Sequence, residues 1–407
     1  MAHLHPFRAL RPTPSMVEEV ACVPYDVINT QEARRLAEGK PWSFLHVIRP
    51  EIDLPEGTDE HDDAVYAKGA ENLEAFRRSE HAVVEDVPSI YVYRLVMDGR
   101  AQTGIFGCVS VADYDEDRIL KHEKTRSAKE EDRTRHILAQ RAHAEPVMLT
   151  YRAVREIDEL VDRIVQTQPI YDVTFEDGVR HVLWRAADAD RLVSLFADVD
   201  RLYVADGHHR CKAASRAAAE LRSQNGGKDR EFEFFPAVLF PMEQMRILPY
   251  NRIVRMLPVT PEAFLDRLKE RFDVDERSGE SRPKERGTVC FYLDGAWHTL
   301  RLPETEGDSI ADDLDVARLS EFILGPELGI TDPRRDPNID FVGGIRGIEE
   351  LERLVDAGEA ELAFSMYPTT IDELVAVSDA GLLMPPKSTW FEPKLRSGLL
   401  VHLFDSE

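Results

Sequence analysis

The sequence predicts an α/β fold of the α+β kind, and three observations carry that expectation. An apolar run at 202–205 breaks off at Asp206-Gly207, and an alanine-rich helical pattern follows from Cys211 to about Ser223. Two stretches rich in β-branched and aromatic residues, 89–96 and 102–111, flank Met97-Asp-Gly-Arg100, whose Asp-Gly pair signals a hairpin. Between strand-like pieces, 62–78 carries Val65, Ala70, Leu73 and Phe76 at helical spacing. Strands and helices alternate along the chain, with no internal repeat and no low-complexity tail.

At 407 residues the chain exceeds one ordinary core, two or three packed subdomains are expected, and three segments can be marked out. Residues 1–115 read as an N-terminal α+β module, with Phe44-Leu-His-Val-Ile48 as a further strand. Residues 116–255 read as the catalytic core. In it, Ser127 and Glu130 match a capping box, and Glu145-Pro146 stops the helix that follows. A strand at 147–151, a helix near 156–166 and strands at 171–175 and 181–185 come next, with Glu176-Asp-Gly178 as the turn. Gly226-Gly227 ends the alanine-rich helix, 232–240 is a strand, and 248–252 is a loop. Residues 256–407 form a C-terminal segment that returns to the core. It holds a helix at 261–272, strands at 288–293 and 297–302, turns at 331–337 and a closing strand at 399–404.

Composition narrows the function classes. A net charge of −25 disfavours nonspecific nucleic-acid binding, which depends on cations displacing counterions. Acidic clusters at 51–63 and 304–315 read as solvated loops. No apolar run approaches the ~20 residues that span a bilayer, and the N-terminus lacks an apolar signal core. A cytoplasmic location and no membrane partner are therefore expected. Cys22, Cys108, Cys211 and Cys290 are scattered without a paired spacing and read as reduced thiols.

The Asp206-Gly-His-His-Arg210 junction carries the chemistry. The first N–H groups of a helix lack intrahelical acceptors and carry the positive end of its dipole, so they attract anions. Gly207 permits the tight turn and close approach of a ligand. Arg210 adds a planar charged fork suited to phosphate oxygens, beside His208 and His209. Lys121-His122-Glu123-Lys124 places a carboxylate among cations, which suits acceptance of a hydroxyl proton. Met384-Pro-Pro-Lys387-Ser388-Thr389-Trp390-Phe391-Glu-Pro-Lys394 brings cations, hydroxyls and aromatic bulk together behind two prolines, a loop able to close over an anion, with a packed Ω-like loop anchored by Trp390 and Phe391 as the alternative. Arg252, in Leu248-Pro-Tyr-Asn-Arg252, has a fork that matches a carboxylate. Val23-Pro-Tyr-Asp-Val27 reads as a proline-fixed turn. Gly343-Gly344-Ile-Arg346 reads as a tight structural turn, with an anion contact through Arg346 as the alternative. A zinc-protease pattern fails, because Arg126 stands where its second histidine belongs, and no Walker A pattern occurs.

The junction resembles the signature of the ParB/sulfiredoxin-like fold, and its Asp-Gly-His-His-Arg form is similar to that of the free-serine kinases in this superfamily. Through the Val-Pro-Tyr-Asp-Val, Lys-His-Glu-Lys-Thr, Leu-Pro-Tyr-Asn-Arg and Met-Pro-Pro-Lys-Ser-Thr stretches, the whole chain resembles a large bacterial family catalogued as domain of unknown function one thousand and fifteen. The resemblance implies a ParB/sulfiredoxin-like core with flanking subdomains. It also implies transfer of a phosphoryl group from ATP or ADP, with Mg²⁺, to the hydroxyl of free L-serine. Glu123 is then the base, His209 stabilises the transferring group, and Asp206 binds Mg²⁺ or an ordered water. Gly207, His208 and Arg210 hold nucleotide phosphates with Lys387, Ser388 and Thr389, while Arg252, His122 and Lys394 hold the substrate. The alternative is a nucleotide-binding regulatory or partition-type protein without kinase activity. A sulfiredoxin-like reductase would need a cysteine where His208 stands.

Overall fold

The computed structural model describes residues 2–225, 230–305 and 309–404. The chain divides into two units. Met1–Lys121, Thr125–Met245 and Pro393–Glu407 make the first, and His122–Lys124 with Arg246–Glu392 make the second.

The first unit is built on a nine-stranded mixed sheet. In spatial order it runs Ile119–Leu120, Leu202–Asp206, Val147–Tyr151, Phe234–Pro241, Arg100–Ser110, Tyr91–Met97, Arg180–Arg185 and Tyr171–Thr174, with Leu4–His5 also on Arg100–Ser110. Strands from both sides of residue 115 share this sheet. The pairs Ile119–Leu120 with Leu202–Asp206 and Val147–Tyr151 with Phe234–Pro241 are parallel, and the rest are antiparallel. Val147–Tyr151 is buried at every position, as a strand covered on both faces must be. The helix His208–Asn225 packs into the same core through Ala213, Ala214, Ala217, Ala218 and Leu221. Alanine recurs there because a small side chain lets a helix backbone approach its neighbours closely. At the hairpin, Asp98 and Gly99 take φ of 53° and 75°, the doubly positive turn that the strands' twist requires. A second sheet of four strands joins Ala82–Val84, Ala9–Pro12, Val401–Leu403 and Ala142–His143, so the C-terminal strand does return to a sheet.

The second unit holds a six-stranded antiparallel sheet, in the order Val274–Asp275, Ala296–Arg301, Thr288–Leu293, Leu362–Met366, Tyr250–Val254 and Ile339–Gly343. The helix Gly347–Asp356 lays Ile348, Leu351 and Leu354 against Ile253, Cys290, Tyr292 and Trp297. Both units mix sheet and helix, so the fold class read from the sequence, α/β in the α+β sense, holds. Among the described residues, no helix is long and apolar enough to cross a membrane. All four cysteines are free and buried.

Several elements differ from the sequence reading. Residues 44–48 form a helix, Leu45–Ile48, because Phe44, Leu45, Val47 and Ile48 join a cluster with Tyr25, Leu73 and Phe76, and that packing overrides β-propensity. Ser127 is the first residue of its helix, not its cap. Arg126 occupies the cap position, and Thr125 Oγ1 donates to Glu130 Oε1 at 2.5 Å. The helix ends at Gln140, where Arg141 turns left-handed at φ 50°, well before Glu145-Pro146. Residues 248–252, apart from Pro249, belong to two strands, Ile247–Leu248 and Tyr250–Val254. The acidic stretches are not wholly solvated. Glu51 is buried with Arg49 Nε at 2.7 Å, and Asp315 is buried while accepting from Gly287 N at 2.9 and 3.0 Å. Gly226-Gly227 lies outside the described residues.

One pH effect follows from the termini of the first unit. Glu231 accepts from His402 Nε2 at 2.9 Å and from His5 Nε2 at 3.3 Å, tying the first and last strands together. Burial works to raise the Glu231 carboxyl, but the bonds from His402 and His5 outweigh it and hold it down at about 2. A depressed acid stabilises the fold above its unfolded value and loses that contribution as pH falls through the folded one. The stability difference between the protein and Glu231→Gln, measured by urea unfolding, is therefore expected to shrink as pH falls from about 4.5 to about 2. A difference independent of pH would contradict this role.

Candidate functional site

The strand Leu202–Asp206 ends on a register shift between Val204 and Asp206, where it pairs with Leu149 and Met148. A bulge re-aims the residue that follows it, and here that residue is Asp206. Gly207 then turns at φ +100°, and the helix starts at once with His208, three residues earlier than the alanine pattern suggests. Cys211 N donates to Gly207 O at 2.9 Å, so Gly207 stands at the cap and His208, His209 and Arg210 form the first turn. Their N–H groups have no intrahelical acceptor, and they lie at the positive end of an 18-residue helix.

The side chains around this turn form a charged network. Arg210 is only 7% exposed. Its Nη2 donates to Asp206 Oδ2 at 3.2 Å and lies 3.7 Å from Asp26 Oδ2, while Nη1 donates to the Pro146 carbonyl. Burial opposes its charge, but Asp26, Asp206 and Glu145 outweigh that and push its pKa up, so it stays a cation. Lys394 Nζ lies 3.6 Å from Asp206 Oδ1, which leaves Asp206 between two cations. His209 Nε2 accepts from Arg126 N at 3.0 Å, so this nitrogen carries no proton and the neutral ring carries its proton on Nδ1.

Three participants were not read from the sequence as part of this site. Asp26 arrives on the turn Tyr25–Val27. Glu145, whose side chain is 6% exposed, accepts from Tyr25 N at 3.2 Å and from Ser397 Oγ at 3.1 Å. Burial pushes the Glu145 carboxyl up, against the pull of Arg210 and Arg133. Arg133 covers the Tyr25 ring at 4.0 Å. Only the Val-Pro-Tyr-Asp stretch gave any signal for this group, as a proline-fixed polar turn.

The remaining sequence candidates belong to the second unit. His122 is buried, its carbonyl accepts from Met384 N at 2.7 Å, and its Nε2 lies 3.3 Å from Thr389 Oγ1. Glu123 beside it is half-buried. Arg252 is buried, and its fork donates to the Tyr250 carbonyl and, at 3.1 Å, to the Lys387 carbonyl. Burial lowers its pKa to about 10, which still leaves it charged at neutral pH. Lys387 takes φ +58°, with Nζ 5.3 Å from the Tyr250 ring centroid. Ser388 is internal: its Oγ donates to Pro385 O at 2.7 Å and its carbonyl accepts from Thr369 Oγ1 at 2.9 Å. The loop is thus braced from within. Gly343 has no room for a side chain, since a Cβ there would lie 2.8 Å from the Trp390 ring, whereas Arg346 is exposed. Lys394 and Lys387, close in sequence, belong to different units.

Mg²⁺ prefers an octahedron of oxygens, often one or two carboxylates completed by phosphates and waters. Both Asp206 oxygens face cations, Arg210 at 3.2 Å and Lys394 at 3.6 Å. This donor set does not fit a cation held by the protein alone.

Residues 4–317 match the model of a family described as protein of unknown function (DUF1015). The chain belongs to this family. The DUF1015 chain is also similar to three solved structures. One is a conserved hypothetical protein from Pyrococcus furiosus, 14% identical, covering 72% of this chain and 95% of that one with a TM-score of 0.36. Another is SbnI with a C-terminal truncation from Staphylococcus aureus, at 14% identity, 73% and 87% coverage and a TM-score of 0.38. A third is a free serine kinase in complex with AMP, at 14% identity, 72% and 92% coverage and a TM-score of 0.37. Likenesses this distant say nothing of activity. No curated protein matches.

The turn itself makes a direct prediction. A Cβ on Gly207 would lie 3.0 Å from Val147 Cγ1 and 3.2 Å from Arg210 Nε, at a φ that L-residues rarely adopt. Gly207→Ala is expected to lower stability by about 1–3 kcal/mol. An unchanged urea midpoint would show that the turn relaxes freely.

Proposed function

We propose that this protein is a small-molecule kinase that transfers a phosphoryl group from ATP or ADP to the hydroxyl of free L-serine, giving O-phosphoserine. One observation carries the reading: a glycine-capped helix N-terminus whose first turn stands over the buried, permanently charged Arg210. Phosphoryl transfer needs little covalent help from a protein. It needs positioned phosphates and fixed positive charge, and this turn offers both.

In this reading the N–H groups of His208 and His209 hold the donor phosphates. Arg210, spent on Asp206, Asp26 and the Pro146 carbonyl, acts from beneath as a fixed charge instead of as a direct ligand. Mg²⁺ enters with the nucleotide as part of the substrate. His209 offers its Nδ1–H to the transferring group. Glu123 takes the proton of the serine Oγ as the new Oγ–P bond forms and the bond to the leaving phosphate oxygen breaks. Lys387 and Arg252 are the candidates for the amino-acid carboxylate, and Lys394 keeps Asp206 neutralised.

The test is incubation of the purified protein with Mg²⁺, a panel of hydroxy amino acids and ATP, ADP or pyrophosphate in turn, followed by phosphorus NMR. A phosphoserine signal that grows with serine and one donor supports the reading. Nucleotide binding without any phosphorylated product favours a regulatory or partition-type protein, and absence of both removes the reading.

A further inference from the structure

Within the first unit, a chamber of about 40 Å³ adjoins Arg210 and is lined by Arg133, His136, His143, Glu145 and Phe235 among others. On its wall Arg210, His136 and His143 are each more than nine-tenths buried. Each carries a buried polar atom without a hydrogen-bond partner, namely Arg210 Nε, His136 Nδ1 and His143 Nε2. Buried polar atoms are rarely left so, because each gives up its hydration for nothing in return. Three of them around one chamber mark a built polar site.

The chemistry of the wall selects its occupant. Burial pushes the His143 pKa well down, against the opposing pull of the Phe234 carbonyl, so the ring is neutral and its one N–H is the group that faces that carbonyl. Its other nitrogen, Nε2, is then an acceptor, whereas Arg210 Nε is only a donor. Whatever bridges these two must accept from one and donate to the other. A halide or carboxylate would set lone pairs against the His143 nitrogen, and a metal cation would be repelled by Arg133 and Arg210. Water does both. A water needs roughly 10–15 Å³ of such volume, so the space suits two or three.

We propose that this chamber is an internal water site, in which two or three ordered waters bridge Arg210 Nε, His143 Nε2 and His136 Nδ1 and fix the guanidinium from behind. With Nη1 on the Pro146 carbonyl and Nη2 on Asp206, the waters complete the fork on all three nitrogens. Arg210 becomes a rigid charge below the first turn of the His208 helix. The inference does not depend on phosphoryl transfer.

A high-resolution crystal structure of the full chain tests it, together with two probes and one spectrum. The expected result is ordered density within hydrogen-bond distance of all three atoms, with no anomalous peak there after a bromide soak and no xenon bound under pressure. The ¹⁵N spectrum of histidine-labelled protein should show His143 Nε2 unprotonated, and the Arg210 Nε–H should cross-relax with a long-lived water. A bromide peak would make it an anion site, and xenon would make it a dry void. Either result, a chamber closed by side chains, or a protonated His143 Nε2 overturns the proposal.

Discussion

Glu123→Gln is expected to leave the fold intact and to lower turnover by about 10² or more, the usual cost of losing a general base. The substitution keeps the size and polarity of the side chain while removing its ability to take a proton. Glu123 is half-buried beside the buried His122, whose backbone and ring are tied to Met384 and Thr389, so its position rests on neighbours that the change leaves alone. The check is the initial rate of phosphoserine formation by phosphorus NMR, with thermal melting as the control for folding. A variant with near-normal turnover and a normal melt would make Glu123 a structural residue.

Arg210→Ala is expected to act first on stability. The guanidinium is the counterion of Asp206 at 3.2 Å and of Asp26 at 3.7 Å, and it also opposes the charge of the buried Glu145. Removing one partner of a buried pair leaves the other charge stranded. Because Asp206 and Asp26 are partly exposed, the loss should fall at the lower end of the usual range, about 3 kcal/mol. Pairing the change with Asp206→Asn should recover part of it, since the two residues share one interaction. Phosphate affinity should weaken in parallel, through the lost charge and the loosened turn. A fully stable Arg210→Ala would place the guanidinium outside the network that these distances describe.

Local physics explains which parts of the chain could be read in advance. The hairpin was legible because its turn needs two residues at positive φ, and Asp98-Gly99 supplies them. The helix Asp63–Arg78 was legible from spacing, since Val65, Leu73 and Phe76 all face a core. The junction at Asp206-Gly207 was legible because glycine and a change of period coincide there. Its helix begins earlier than its alanines because Gly207, not helix propensity, sets the start. What the sequence could not reveal are meetings of distant segments. Asp26, Arg133 and Glu145 come from separate places in the chain, and nothing local to Arg210 shows that its fork turns inward to the Pro146 carbonyl. Residues 44–48 show the same limit, a strand-like composition recruited into a helical cluster.

The central claim is that the first turn after Gly207 holds phosphate, and a titration of ADP into ¹⁵N-labelled protein tests it most directly. The backbone amides of His208 and His209 should shift saturably, along with Gly207, because their N–H groups would point at the bound phosphates. Inorganic phosphate should move the same signals at higher concentration. Saturable ADP binding that leaves those amides unmoved, or no binding at all, would contradict it.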